Sequence, residues 1–344
     1  IVKDANGQPT GVFIDNAETL IKRHIPAPTA TEMQVAYDKA TQHLLSLGIT
    51  SMHDAGIERT VYDLYKQRVA NHKAHVRIYA MLSATEPQLE SLLNLGYVKD
   101  EYDMLSIRSV KIYGDGALGS RGAALLQSYS DDPQNSGLLV TQPEQLRQLY
   151  QQILAHRFQI NIHAIGDRAN RLALDEFELA FRLNPQAKRL RHRIEHAQVI
   201  DVADIPRFQT LGVLPSMQPT HATSDKNMAS DRLGEVRLKG AYAWQSFVRQ
   251  GTRVIAGSDF PVELANPFYG LHAAVTRQDR DNLPQGGWLK HEALTIQQAF
   301  KAFTLDAAYG AHQEHVLGGL EPGKWADFIL VDKDIFATQP EELW

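Results

Sequence analysis

The chain has 344 residues, 43% of them hydrophobic and 22% charged, with a formal net charge of -5 and no cysteine. That is ordinary globular composition, long enough for one large domain or two smaller ones, and it excludes disulfides, thiolate ligands and cysteine nucleophiles. An acidic balance without a basic block gives no nucleic-acid footprint and no reason for a membrane surface, and no apolar run reaches the roughly 18 residues of a spanning helix.

The first residues, "IVKDANGQPTGVFID" (1–15), place two short extended runs around a Gly-Gln-Pro-Thr-Gly turn, the pattern of a hairpin. They lack the charged-then-apolar pattern of a signal peptide, which favours the cytoplasm. The chain begins at Ile1, so an upstream targeting segment stays open. "TATEMQVAYDKATQHLLSLG" (29–48) reads as a helix, with Thr29 and Glu32 spaced as a capping box and Gly48 just past its end. From there apolar strands alternate with stretches of helical period. The strands fall at 49–56, 75–82, 108–115, 158–167, 191–200, 212–220 and 252–261. Short apolar strands each followed by a helical segment are the signature of a parallel β/α fold.

Eight such units close a (β/α)8 barrel of the TIM type. Seven are present, so the first barrel strand is expected upstream of residue 1. After the last helix, "HVLGGLEPGKWADFILVDKDIF" sets glycines and prolines between short apolar runs, which reads as antiparallel β. The expected organisation is therefore a barrel over 1–312, hairpin included, and over 313–344 the C-terminal strands of a small accessory β-sandwich domain.

A literal G-x-G-x-x-G occurs at Gly114, Gly116 and Gly119, directly after a strand. A dinucleotide site also needs a helix opening on the third glycine and a second strand ending in an acidic residue. Downstream, "LLQSYSDDPQNSGLL" is loop chemistry instead. The glycines read as a turn, and Lys111 just before them becomes the residue of interest.

In a barrel of this kind the chemistry sits at the C-terminal ends of the strands. In "SVKIYGD", Val110 and Ile112 alternate with Lys111 and Tyr113; in "INIHAIGD", Ile160 and Ile162 alternate with Asn161 and His163. "RIEHAQ" ends in His196, "VIAGSDFP" carries Asp259 just past its apolar run, and "SMHDAG" adds His53 and Asp54. Taken singly, a strand-end histidine is more often a hydrogen-bonded structural residue, and an Asp before a loop is often a cap. Lys111, His163, His196 and Asp259 on four strands converge on one mouth, where imidazoles and a carboxylate suit Zn2+ or a similar divalent ion. Burial lowers a lysine pKa, and the neutral amine takes up CO2 to become a carbamate, a carboxylate on a long arm.

These residues, with "VKIYGDGALGSRGAAL", "INIHAIGDRA", "RHRIEHAQ", "SMQPTH", "GSDFPVE" and "LGGLEPGKWADFILVD", resemble the amidohydrolase superfamily, in particular the amidohydrolase-3 branch with N-substituted formamide deformylase-like enzymes. The resemblance covers essentially the whole chain. It implies a TIM-type barrel in which Lys111 is the carboxylated bridging lysine, His163 and His196 bind one metal, and Asp259 binds a second and handles the proton. The family's first strand ends in a His-x-His pair, and no two histidines here are two positions apart; that pair is expected upstream, in a longer protein. The implied reaction is hydrolysis of a non-peptide C–N bond in a small-molecule substrate by metal-activated water, with one or two ions and CO2 held on Lys111. His221 and Arg193 are assigned from position to the substrate's carbonyl oxygen or acidic end, and Asp115 and Asp167 to holding loops and the surroundings of the ligands. Two other readings stay open, a non-hydrolytic barrel binding phosphate at Gly114–Gly119 and a regulatory relative without turnover. Substrate identity and any homo-oligomer are not legible.

Overall fold

The computed structural model describes residues 1–344, residues 15 and 16 aside. Its strands are β1 (Ser51–Ile57), β2 (Arg77–Ser83), β3 (Val98–Lys99), β4 (Leu105–Tyr113), β5 (Gln159–Ala164), β6 (Arg193–His196), β7 (Leu214–Met217) and β8 (Ile255–Ala256). Seven of them form one curled parallel sheet in the order β1-β2-β4-β5-β6-β7-β8, while β3 adds antiparallel to β4. This is a (β/α)8-type barrel open between β1 and β8, which no strand among the described residues bridges. No helix among them is long and apolar enough to cross a membrane.

The outward face of the sheet makes the main core. Ile78, Ala80 and Leu82 of β2, Val110 and Ile112 of β4, Ile160 and Ile162 of β5 and Ile194 of β6 pack in one cluster with helix residues such as Tyr150, Leu174 and Phe177. The inward face is not the stack of branched aliphatics that such barrels usually hold. It carries Tyr79, Met81, Lys111, Asn161, Arg193 and Glu195, and Tyr79 and Met81 form a small cluster with Ala311, separate from the main core.

One irregularity decides which way Lys111 faces. Ala80 pairs with Ile107 and Met81 with Ser109, so Arg108 is an extra residue with no partner on β2. Ahead of this bulge the odd residues Leu105 and Ile107 join the outer core; behind it the even residues Val110 and Ile112 do. With period-2 alternation, one inserted residue exchanges the faces. Lys111 is thereby turned inward, in register with Ser83 and Asn161.

The N-terminal turn forms as expected, with Lys3 bridging Pro9 and the Asp4 carboxylate accepting from the Asn6 and Gln8 backbone. The helix Ala30–Ser46 carries its capping box at Thr29 and Glu32. Over 313–344 no strand pairs among the described residues. A strand without a partner leaves its backbone groups unpaired. Instead the segment is held by side chains: Trp325 Nε1 donates to Asp103 (2.9 Å), Arg77 forks onto Asp327, and Ile329 lies over Gly48.

Candidate metal centre

At the C-terminal ends of β4 to β8 the structure gathers Lys111, His163, His196, His221 and Asp259. The His163 and His196 rings meet edge to face at 4.5 Å between centroids, and His196 stacks on His221 at 5.6 Å. His221 Nε2 lies 3.7 Å from Asp259 Oδ2. The donor atoms of His196, His221 and Asp259 all fall within 4.8 Å of one another. The three-donor cluster therefore includes His221, which sequence position assigned to the substrate, while His163 flanks it through ring contact.

Two of these residues sit on unusual backbone. His196 has φ 75° and Asp259 φ 59°, the left-handed region that costs a non-glycine residue on the order of 1 kcal/mol or more. Strict alternation would place His196 on the face of Ile194, against the helices. The left-handed turn at His196 and at Ala197 (φ 42°) brings its ring onto His163 instead.

Hydrogen bonds set the ring orientations. Gln218 donates from Nε2 to the Ser216 carbonyl (3.2 Å), which leaves its Oε1 to accept from His196 Nδ1 (2.8 Å). His196 then carries its proton on Nδ1 and keeps the Nε2 lone pair for a ligand. His163 Nε2 faces Asp115 Oδ1 at 3.4 Å and the Gly116 carbonyl at 3.5 Å. Asp115 accepts from the backbone N–H groups of Ile165 (2.9 Å), Gly166 (2.8 Å) and Ala124 (2.8 Å), pinning the loop after β4 to the end of β5. Asp167 does related work one turn on, accepting from Leu126 N (2.8 Å).

Burial raises the charge cost throughout. It pushes His221 down to about 4 and His196 well below the usual imidazole value, with the other histidines adding to the effect. Both rings are neutral at pH 7, the state a metal ligand needs. Burial raises the Asp259 pKa, opposed by Lys111 and His163. Lys111, 4% exposed, is pushed below the ordinary lysine value by burial, against the Glu195 and Asp259 charges. Its Nζ lies 4.0 Å from the Tyr113 ring centre, and no carboxylate among the described residues comes within ion-pair distance of it.

Arg193 is not at the mouth. It lies one step deeper than Glu195 on the inner face, 1% exposed, with Nη1 donating to His53 Nδ1 (3.0 Å) and lying 3.8 Å from Glu195. His53 is thus a partner of Arg193, while Asp54 faces away and accepts from Tyr65 OH (2.5 Å). Glu195 and Gln218 were not singled out by sequence; the i, i+2 pair Arg193 and Glu195 in "RHRIEH" was the available signal for the first. The stretch at Gly114–Gly119 is a turn, and no helix opens on Gly119. A Cβ at Gly114 would meet the His163 carbonyl at 2.6 Å, so its glycine serves close packing of β4 on β5.

The donor set fits a divalent ion. It offers neutral imidazoles and a carboxylate, and His221 Nε2 is buried without a hydrogen-bond partner, an uncompensated group that a cation would satisfy.

The sequence profile described as the Amidohydrolase family matches residues 1–343. The chain is 32% identical to "Protein LONG AFTER FAR-RED 3" of Arabidopsis thaliana, over 96% of this chain and 58% of that protein. It is 24% identical to the N-substituted formamide deformylase of Arthrobacter pascens, over 97% of this chain and 62% of that enzyme. Among solved structures, an uncharacterized metal-dependent hydrolase from Pyrococcus horikoshii superposes with a TM-score of 0.83 at 28% identity, covering 95% of this chain and 64% of that one. The chain thus spans about three fifths of the length of these relatives.

Proposed function

We propose that this chain, which belongs to the amidohydrolase family, is the catalytic barrel of a metal-dependent hydrolase that cleaves a non-peptide C–N bond, an amide or N-substituted formamide, in a small-molecule substrate. The observation that carries the reading is the convergence of His196, His221 and Asp259 within 4.8 Å, flanked by His163 and by a buried lysine with no ion-pair partner. The relative from Arthrobacter pascens supplies the bond type by its name, and the Pyrococcus horikoshii structure supports metal dependence.

His163, His196, His221 and Asp259 would hold the ion, with zinc the best match for nitrogen and oxygen donors at this spacing. When bound, the ion lowers the pKa of a water and polarises the substrate carbonyl. Lys111 contributes as a carbamate: its neutral Nζ attacks CO2, an N–C bond forms, and one proton leaves to solvent. The lowered lysine pKa favours the amine that this step requires. The buried lysine would thereby offer carboxylate oxygens to the ion.

Asp259 is the proton carrier. Burial raises its pKa, so it takes a proton from the nucleophilic water more readily than an exposed aspartate and returns it to the departing amine. His196 is held for this work by Gln218, and His163 by Asp115. The loop 114–142, fastened by Asp115 and Asp167 and tied by the Arg121–Asp131–Arg232 ion network to the helix Ala229–Leu238, forms the wall against which substrate is placed.

Metal analysis, intact mass and hydrolysis of N-substituted formamides, each on the protein and on Lys111→Ala, test the proposal together. Stoichiometric zinc, the added mass of CO2 and amine release are expected, with the variant losing turnover and metal. Absence of stoichiometric divalent metal would refute the hydrolase reading. Full metal content in Lys111→Ala would refute the carbamate bridge alone.

A further inference from the structure

The N-terminal pole of the barrel, opposite the metal centre, holds a cavity of about 170 Å3 lined by Lys99, Ser106, Arg108, His312, Gln313 and His315, among others. We propose that this cavity binds a small oxyanion, with the Arg108 guanidinium as its principal donor.

Arg108 is the bulge residue of β4. It pairs with nothing on β2, and the ladder to β5 begins only at Ser109, so its side chain is freed from the sheet faces and aimed at the cavity. Its guanidinium lies on the Tyr97 ring, 4.7 Å from the ring centre, which orients the plane without neutralising it. Its Nε is buried with no hydrogen-bond partner, and no carboxylate among the described residues lies within 4.0 Å of it.

Of the nearby acids, Glu314 is engaged through both oxygens and Asp103 hydrogen-bonds through one, its Oδ1 being buried without a hydrogen bond. Asp103, the one carboxylate lining the cavity, accepts from Trp325 Nε1 (2.9 Å) and faces Lys99 Nζ at 3.2 Å. Glu314 is forked by Arg191, at 2.7 and 2.9 Å. His312 donates from Nε2 to the Leu190 carbonyl (3.0 Å) and, pushed down to about 4 by burial and then by Arg108, adds no charge at pH 7. A part-buried cation without a counter-charge is costly unless something pairs with it. The cavity has room for about five waters, or for a tetrahedral oxyanion with one or two waters. A guanidinium fork matches such an ion bidentately, and His315 stands at the rim together with Lys99, whose ammonium is shared with Asp103. Nothing in the hydrolytic reading uses this pole, so the site stands apart from the metal centre.

Inorganic phosphate, titrated into the protein by calorimetry at constant ionic strength, is the probe. One saturable site is expected, weakened at least about tenfold in Arg108→Met. Where Arg108→Met fails to fold, the exposed rim pair Lys99→Ala/His315→Ala decides, with a several-fold weaker isotherm expected. No saturation in the unaltered protein overturns the proposal. So does an isotherm unchanged in a folded Arg108→Met, or, failing that variant, in the rim pair, because phosphate would then be binding elsewhere.

Discussion

Asparagine in place of Asp115 isolates what one buried carboxylate contributes. Asp115 Oδ2 accepts from Gly166 N and Ala124 N at 2.8 Å each, and Oδ1 from Ile165 N at 2.9 Å. The best orientation of the introduced amide keeps its carbonyl oxygen on the first two donors and turns its NH2 toward Ile165 N–H. That leaves one buried donor facing another, at about 1–3 kcal/mol, and weakens the two remaining bonds from charge-assisted to neutral, about 1 kcal/mol each. The sum is roughly 3–5 kcal/mol. For a chain of this length a kilocalorie moves the melting midpoint by about 2 °C, so Asp115→Asn should melt roughly 6–10 °C lower. Differential scanning calorimetry reads the shift, and limited proteolysis should find new cleavage within 114–142, the loop released. A midpoint within about 2 °C of the unaltered protein would refute the reasoning, because three charge-assisted bonds could not be lost or weakened at so small a cost.

Gln218→Leu removes the acceptor that fixes the His196 tautomer, and metal affinity should fall about 10–100-fold in competition with a chelator; unchanged affinity would show that Gln218 does not orient the ring. His192, pushed down to about 3 by burial, packs against both Phe177 and Phe181 and accepts from Ile160 N through Nδ1. With His312 near 4, it binds protons in the unfolded chain below the ordinary value of 6.5 but not in the folded one until pH approaches 3–4. Stability is therefore full above about pH 6.5 and falls as pH drops from there towards 3–4, by on the order of several kcal/mol for the two together. Urea midpoints between pH 7 and pH 4.5 test this, and His192→Gln should flatten the slope; an identical slope in the variant would remove His192 from the account.

The barrel is legible because its strands are short, apolar and evenly interleaved with helical period, and the seven expected strands are the seven parallel ones. Their C-terminal ends are not so legible. Residues 197–200, 218–220 and 257–261 read as strand continuation, but the chain has already turned there, at His196 and Ala197 and at Asp259 with positive φ. Apolar periodicity reports burial, which continues through those turns, while the hydrogen-bond ladder stops. The same blindness hides Gln218, whose role depends on where a loop side chain reaches. It also hides the place of His221: only the fold shows that its ring, on the short helix Pro219–Asp225, swings over Asp259.

The inner face carries the deeper lesson. An expectation of packed aliphatics fails because the outer face takes the Ile, Leu and Val residues of β2, β4, β5 and β6, leaving their inner positions to Tyr79, Asn161, Arg193, Glu195 and Lys111. Such an interior is expensive: Asn161 has neither side-chain polar atom hydrogen-bonded, Arg193 has two nitrogens unpaired, and Glu195 has one oxygen unpaired. That expense is tolerable only where it holds something in place, and what it surrounds is Lys111. The bulge at Arg108 ties the two poles together. Remove that one residue from the register and Lys111 exchanges places with an outer-core position, taking the lysine out of the mouth; keep it, and a guanidinium is left without a strand partner at the opposite end. One inserted residue thus both turns the proposed bridging lysine to its work and sets out the cation around which the cavity at that end is built.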